Sequence, residues 1–526
     1  MARQYTFIIL FGALAWVLLL GLLWPPLWWS LIVLVPLLLL GIRDATQSRH
    51  TLLRNFPVIG HLRYLIEHFR PEIQQYLIES NLDAYPVERE YRALIYQRAK
   101  GELETQPFGT QRDVYKRGYE WAAHCISPAP PLTEEPRLLI GEKTCSQPYS
   151  SSLLNISAMS FGALSPNAIL ALNGGAKAGN FAHNTGEGGV SRYHLANGGD
   201  LVWQIGTGYF GCRKPDGNFD PNRFAEMAVN ENIRMIEIKL SQGAKPGAGG
   251  ILPGPKVSYE IAEARGIEPG KTCISPARHS AFSTPVELLQ FIEQLRHLSG
   301  GKPVGIKLCI GHIGEFMAFC RAILETGMQP DFITVDGGEG GTGAAPLEFS
   351  NTLGMPRRDA IVLVHDVLTG TNLRGDIRII CSGKILTAFH MIRSLALGAD
   401  GCNSARGMMF ALGCIQALQC NSNKCPTGIT TQNPALVRGL VVEDKIPRVQ
   451  RFHQKTIENL LEMLAAMGLK NPTDVRPEHI YRRTWEQRVK SFAELYSFLE
   501  PGQLLDGRGT DHLQRAWDTS RADRWN

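Results

Sequence analysis

The hydrophobic and polar pattern divides the chain into three regions of different character. Between Tyr5 and Gly41 almost every position is apolar, with a break at Trp24-Pro25-Pro26 followed by Leu27-Trp28-Trp29. This pattern predicts a hairpin of two short membrane spans over residues 6–23 and 29–42. The prolines make its turn and the tryptophans sit at the interface; the other reading is one span of about 20 residues with an apolar flank. Residues 50 to roughly 130 then show helix-like stretches at 64–69, 73–78 and 91–99, rich in Arg, Glu and Tyr, which predict a small helical connector. From about residue 150, short β-branched runs alternate with helical stretches: 153–158, 180–184, 201–205, 235–240, 303–309, 332–336, 377–381 and 401–404. Ser165-Pro166, Ser283-Thr284-Pro285 and Thr387 mark helix starts between them. Eight strands alternating with helices over about 250 residues is the count of a (β/α)8 TIM barrel, with an open doubly wound sheet as the alternative.

Charge and cysteine usage sharpen this picture. The net charge of +5 over 526 residues gives no basic stripe, so a nucleic-acid partner is not expected. Arg3 precedes the apolar pair and Arg43, Arg49 and Arg54 follow it. Positive charge on both flanks places both ends, and the catalytic body, on the cytoplasmic side of a cell membrane. No small-residue cleavage site follows the apolar run, which argues against a cleaved signal. Eleven cysteines, an odd count, are scattered through apolar runs, as at Cys309 and Cys381, and fit reduced thiols better than a disulfide framework.

The chemistry-bearing motifs follow the strands, and in a barrel such loops share one face. Ser157-Ala158-Met159-Ser160-Phe161-Gly162 follows the first strand; its small residues suit the close approach of a flat ring, or simply a tight turn. Asn184-Thr185-Gly186-Glu187-Gly188-Gly189 follows the second and holds a carboxylate among glycines. After the fourth strand, Lys239 to Gly250 brings two lysines and four glycines, a combination suited to carboxylate or phosphate. Asp336-Gly337-Gly338-Glu339-Gly340-Gly341-Thr342-Gly343, Ser382-Gly383-Lys384 and Ala405-Arg406-Gly407 follow the last three strands, where barrels commonly hold a cofactor phosphate. Lys307 ends the fifth strand and aims a cation at the mouth, to meet a flavin edge or a structural partner. Cys414-x5-Cys420-x4-Cys425-Pro426 supplies three soft ligands suited to an iron–sulfur cluster and lacks the knuckle spacing of zinc sites. Cys402 is a candidate fourth thiolate without supporting spacing.

Together, the signatures at 157–162, 184–189, 242–250, 336–343 and 413–428 resemble, in order, the FMN-binding synthase domain of glutamate synthase, across roughly residues 130–470. The resemblance implies a [3Fe–4S] cluster on Cys414, Cys420 and Cys425, and catalytic roles for Lys245 and Glu187. It implies substrate contacts by Lys245, Arg265 and Ser160. FMN would be held by Ser157, Met159, Gln242, Lys307, Gly337, Gly338, Gly340, Gly341, Ser382, Gly383, Ala405 and Arg406. The family's acidic and glutamine residues are replaced here by Ala248 and Ile251.

The expected organisation is a transmembrane anchor at 1–42, a helical connector at 43–130, the barrel with its cysteine loop at 131–470 and a helical tail at 471–526. The expected reaction is reductive amination of 2-oxoglutarate with ammonia to glutamate, fed by an unidentified electron donor. The alternatives are an FMN and iron–sulfur oxidoreductase acting on another oxo- or amino acid and coupled to a membrane carrier, and a non-catalytic electron-relay or scaffold subunit.

Overall fold

The computed structural model describes residues 2–485 and 488–525. The chain divides into two compact units between Arg89 and Glu90.

In the first unit, helices Ala2–Gly21 and Leu31–Thr46 flank a 3-10 turn at Pro25–Ser30. The stretches Arg3–Gly21 and Pro25–Thr46 have the length and polarity of membrane spans, properties that a secretory signal shares. Asp44 lies buried near the end of the second helix. It accepts hydrogen bonds from Val58 N (2.9 Å) and His61 Nε2 (2.9 Å), which fix the start of a further helix, Gly60–Ile73, continued by a π-turn at Gln74–Ile78.

In the second unit, eight parallel strands close into a barrel: β1 (Leu154–Ile156), β2 (His183–Asn184), β3 (Leu201–Ile205), β4 (Ile233–Lys239), β5 (Val304–Leu308), β6 (Phe332–Asp336), β7 (Arg378–Ser382) and β8 (Gly401–Ser404). Each strand pairs with the next, and β8 pairs with β1 through Cys402↔Leu154, Asn403↔Asn155 and Ser404↔Ile156. All eight lie on the runs expected from the sequence, so the TIM barrel stands and the open sheet does not. The marked caps act as such: Ser165 Oγ accepts from Ala168 N, Thr284 Oγ1 from Glu287 N and Thr387 Oγ1 from His390 N. A small antiparallel pair, Leu138–Ile140 with Tyr149–Ser151, packs Ile140 and Tyr149 against Ala182, Val202, Met235, Phe332 and Ile380 of the barrel. The long helix Val442–Ala466 lies on Pro166–Gly179 at close range. A Cβ added at Gly174 or Gly175 would come within 2.6 Å of Ile446 or Val449.

Two expectations change here. Residues from Glu90 onward belong to the barrel unit, so the second half of the expected connector is not a linker. Strand Glu120–Ala122 pairs with Ile480–Arg483, which pairs in turn with Val489–Ser491. The segment after 470 is therefore a strand hairpin followed by helices Phe492–Leu495 and Asp511–Thr519, not a purely helical tail. Long-range charge pairing, which local periodicity does not report, explains both. The buried Glu120 carboxylate accepts from Arg358 and from Arg393 Nη1 (2.5 Å), and Arg482 Nε lies 3.7 Å away. Removing one member of such a set strands the others at a cost of about 3–5 kcal/mol. Glu120→Ala should lower unfolding stability by roughly that amount, read as a fall in the urea midpoint; an unchanged midpoint contradicts the clamp.

Candidate functional site

The C-terminal ends of the barrel strands bring the expected charged residues to one mouth. β4 ends on Lys239, whose Nζ lies 3.0 Å from Glu187 Oε1 in the loop after β2. That loop is held from both sides. Asn184 Oδ1 accepts from Gly186 N (3.0 Å), while Asn184 Nδ2 donates to Glu237 Oε1 (2.8 Å) inside the barrel. Gly186 has φ +65°, and a Cβ there would fall 2.6 Å from Ser160 N, so this position takes glycine for both reasons. Burial works to raise the pKa of Glu187, but Lys239, with Arg265 and Lys245, outweighs it and holds the carboxylate below its ordinary range. Burial pushes the Lys245 ammonium below its ordinary value; Glu187 offsets part of this and Lys239 adds to it.

Arg265 ends the helix Tyr259–Arg265 and is buried. Its Nη2 donates to Phe161 O (3.0 Å) and reaches Ser160 Oγ at 3.5 Å, and its guanidinium stands 4.9 Å from the centre of the Phe210 ring. Its Nε is buried without a hydrogen-bond partner among the described residues. Ser160, Glu187, Lys245 and Arg265 thus converge around one region of the mouth.

Beside it lies a cleft open to solvent at the same mouth. Ser157, Gln242, Lys307, Gly340, Gly341, Ser382, Gly383, Ala405 and Arg406 line it, nine of the residues expected to hold a cofactor. Met159, Gly337 and Gly338 do not. Gly337 N and Gly338 N instead donate to Ser382 O (3.1 Å) at the end of β7 and to Met355 O (2.8 Å), just before the helix Arg357–Gly370. Lys307 Nζ is 3.4 Å from Asp336 Oδ2, which also accepts from Gly243 N (3.1 Å). Burial opposes charge on Lys307, but Asp336, Glu237 and Glu187 outweigh it and hold the ammonium above its ordinary pKa.

Sequence reasoning passed over several residues here. Lys239 stood in a quoted motif, yet its place at a strand end, facing the mouth, singles it out only once the strand is known. Ala158, Asp336, Lys384, Ile385 and Leu386 complete the cavity wall. His279 donates from Nε2 to Lys239 O (2.9 Å), and burial keeps it neutral with a pKa of about 4. No local motif marks it.

Cys414, Cys420 and Cys425 follow the helix Arg406–Leu412 and lie within electrostatic reach of one another. Burial, with the two neighbouring thiols, pushes Cys414 up to about 12. Among the described residues no three His, Cys, Asp or Glu side chains converge as a site for a single ion. Lys256, absent from the sequence reading, is buried next to this loop and donates to Ala163 O (3.0 Å) and Cys420 O (3.2 Å). Cys402 is not a fourth member. It is fully buried on β8, with its Sγ 3.7 Å from Cys381 Sγ on β7, because the paired strands set the two residues side by side.

The family model for the conserved region in glutamate synthase matches residues 129–470. The chain belongs to the glutamate synthase family. The glutamate synthase large subunit-like protein YerD of Bacillus subtilis (strain 168) is 40% identical over 86% of this chain and 94% of its own length. The archaeal NADPH glutamate synthase of Methanocaldococcus jannaschii is 35% identical over 61% of this chain and 60% of its own length. The archaeal-type NADPH glutamate synthase of Thermotoga neapolitana is 34% identical over 59% of this chain and 58% of its own length, so the match spans under two thirds of both NADPH enzymes.

The close approach of two loops in this family barrel gives a test. A Cβ on Gly243 would sit 1.8 Å from Gly337 O, a backbone atom, and would push apart the loops carrying Gln242 and Gly340. Gly243→Ala should weaken flavin retention at least tenfold, about 1.4 kcal/mol. Gly314→Ala, whose Cβ meets nothing within 4 Å, should leave retention unchanged. Bound-flavin absorbance after gel filtration reads both; equal retention in the two variants contradicts the loop contact.

Proposed function

We propose that the chain is a glutamate synthase-like oxidoreductase that reductively aminates 2-oxoglutarate, tethered to the cell membrane by its first unit with the barrel on the cytoplasmic side. The observation that carries this reading is the grouping of Lys245 and Arg265 around the Glu187–Lys239 pair. Three cations against one carboxylate leave a net charge of +2, complementary to a dicarboxylate dianion. Arg265 can present its fork to one carboxylate and Lys245 its ammonium to the other or to the keto oxygen.

The cavity wall fits FMN. Gly340 and Gly341 bring backbone to its surface without side chains, Arg406 offers a cation beside them, and Lys307 stands at the inner end. A reduced flavin held there would supply the hydride equivalent for the reaction. The cysteine triad would suit a [3Fe–4S] cluster better than a single ion, since each thiolate would bind a different iron and the three need not meet at a point. Cys414, Cys420 and Cys425 would hold it, and it would supply one-electron transfer from an unidentified donor.

The protein's own contribution is to bind, orient and move protons. Ammonia adds to the keto carbon; carbon–oxygen cleavage releases water and leaves an imine, which takes up a hydride equivalent and a proton to become the amine. Glu187, held ionised by Lys239, would accept the proton shed as nitrogen adds. Lys245, its ammonium weakened by burial, would polarise the keto group or return a proton. A second reading, action on another oxo acid, is favoured by Ile251, an apolar and exposed side chain where the family carries a polar one.

With ammonia, 2-oxoglutarate and an artificial reductant, the purified protein should form glutamate. Charge-assisted hydrogen bonds contribute about 1.5–3 kcal/mol. Arg265→Ala should therefore weaken 2-oxoglutarate binding roughly ten- to a hundredfold, titrated through flavin absorbance, with the flavin spectrum unaltered. Unchanged affinity would move the second reading ahead.

A further inference from the structure

The helix Gly60–Ile73 and its π-turn continuation Gln74–Ile78 carry an apolar stripe that the described residues leave uncovered. Leu62, Leu65, Ile66, Phe69, Ile73 and Leu77 recur at helical spacing and fall on about a third of the circumference. Their exposures run from 37% at Ile73 to 80% at Leu77. A soluble protein rarely leaves so large a contiguous apolar strip facing water. The flank is polar and basic: Arg63 pairs with Glu67 at 3.0 Å, one turn on, and Arg70 is exposed beside them.

We propose that this helix lies in the plane of the membrane, its stripe in the boundary between headgroups and acyl chains. The proposal rests on reading the first unit as a membrane anchor, and three observations select a lipid surface as the occupant. The first is continuity. The Asp44 carboxylate, near the end of the second apolar helix, binds Val58 N and His61 Nε2 and fixes the entry of the amphipathic helix to that end. Leu53 packs under Gly60, where an added Cβ would fall 2.8 Å from it, so the joint is closed rather than a free linker. The second is charge. Arg43, Arg49, Arg54, Arg63 and Arg70 are all exposed around this joint and suit anionic headgroups. The third is form, since an amphipathic helix with large apolar residues on one side and arginines at its flank is the shape that interfacial helices take. Seated this way, the helix lies flat beside the hairpin and adds an in-plane contact to its grip.

The test uses the full-length protein in vesicles of phosphatidylethanolamine and phosphatidylglycerol. The photo-crosslinker p-benzoylphenylalanine is placed singly at the positions of Phe69, Glu67 and Leu18. Mass spectrometry should find lipid adducts from positions 69 and 18, and at least fivefold fewer from position 67 on the polar flank. Lipid adducts at position 18 with only protein adducts, or none, at position 69 would leave the anchor standing and overturn the in-plane helix; the stripe would then cover the barrel unit or a second copy of the chain. Equal lipid labelling at 69 and 67 would also overturn it. Lipid adducts at 69 without any at 18 would support the in-plane helix and remove the spanning hairpin, and none at either position would remove both.

Discussion

The Glu187–Lys239 ion pair is the constraint on which the mouth of the barrel depends. A carboxylate removed from water is costly unless cations surround it, and a lysine at a strand end is costly without a carboxylate. At 3.0 Å each partner makes the other tolerable. The pair also sets the charge that Lys245 and Arg265 meet. Both cations are held weaker by burial, and both are partly offset by the same carboxylate. Without Glu187, three buried cations would face one another with no counterion among them. With it, the excess is two positive charges, a number that a dicarboxylate can neutralise.

The barrel makes this arrangement possible by bringing distant chain segments to one rim. Glu187 follows β2, Lys239 ends β4, and Arg265 ends a helix in the long excursion between β4 and β5. Their approach requires loops to pass backbone against backbone. Gly186 lies against the Met159–Ser160 peptide, and Gly243 lies against the Gly337 carbonyl. Inside the barrel, Glu237 takes hydrogen bonds from Asn184, Gln204 and Thr334, so its buried carboxylate is fully engaged one layer below the mouth. Lys307 senses Asp336, Glu237 and Glu187 together and links the charged mouth to the adjoining cavity.

Much of the barrel was legible in the sequence because strand and helix periods, and caps such as Thr284, are local signals. Most of the cavity wall was legible because glycine-rich motifs after successive strands share one face of such a fold. Long-range contacts were not. Glu120 fastens its own segment to Arg358, Arg393 and Arg482, which lie more than two hundred residues away, and this is why part of the expected connector belongs to the barrel unit. Arg265 was named from the resemblance alone, and its burial against the Phe161 carbonyl and the Phe210 ring is a contact that no local spacing reports. His279 and Lys256 act through backbone carbonyls of remote segments, a role that no spacing encodes.

The central claim is that the mouth binds a dianion by charge number. It is tested most directly by calorimetric titration of the flavin-loaded protein with 2-oxoglutarate and with 2-oxobutyrate, a 2-oxo acid bearing a single carboxylate. The account predicts saturable binding of one 2-oxoglutarate per chain, at least tenfold tighter than the monoacid, a difference of about 1.4 kcal/mol or more. Equal affinity for the two acids, or no binding of either, would contradict it.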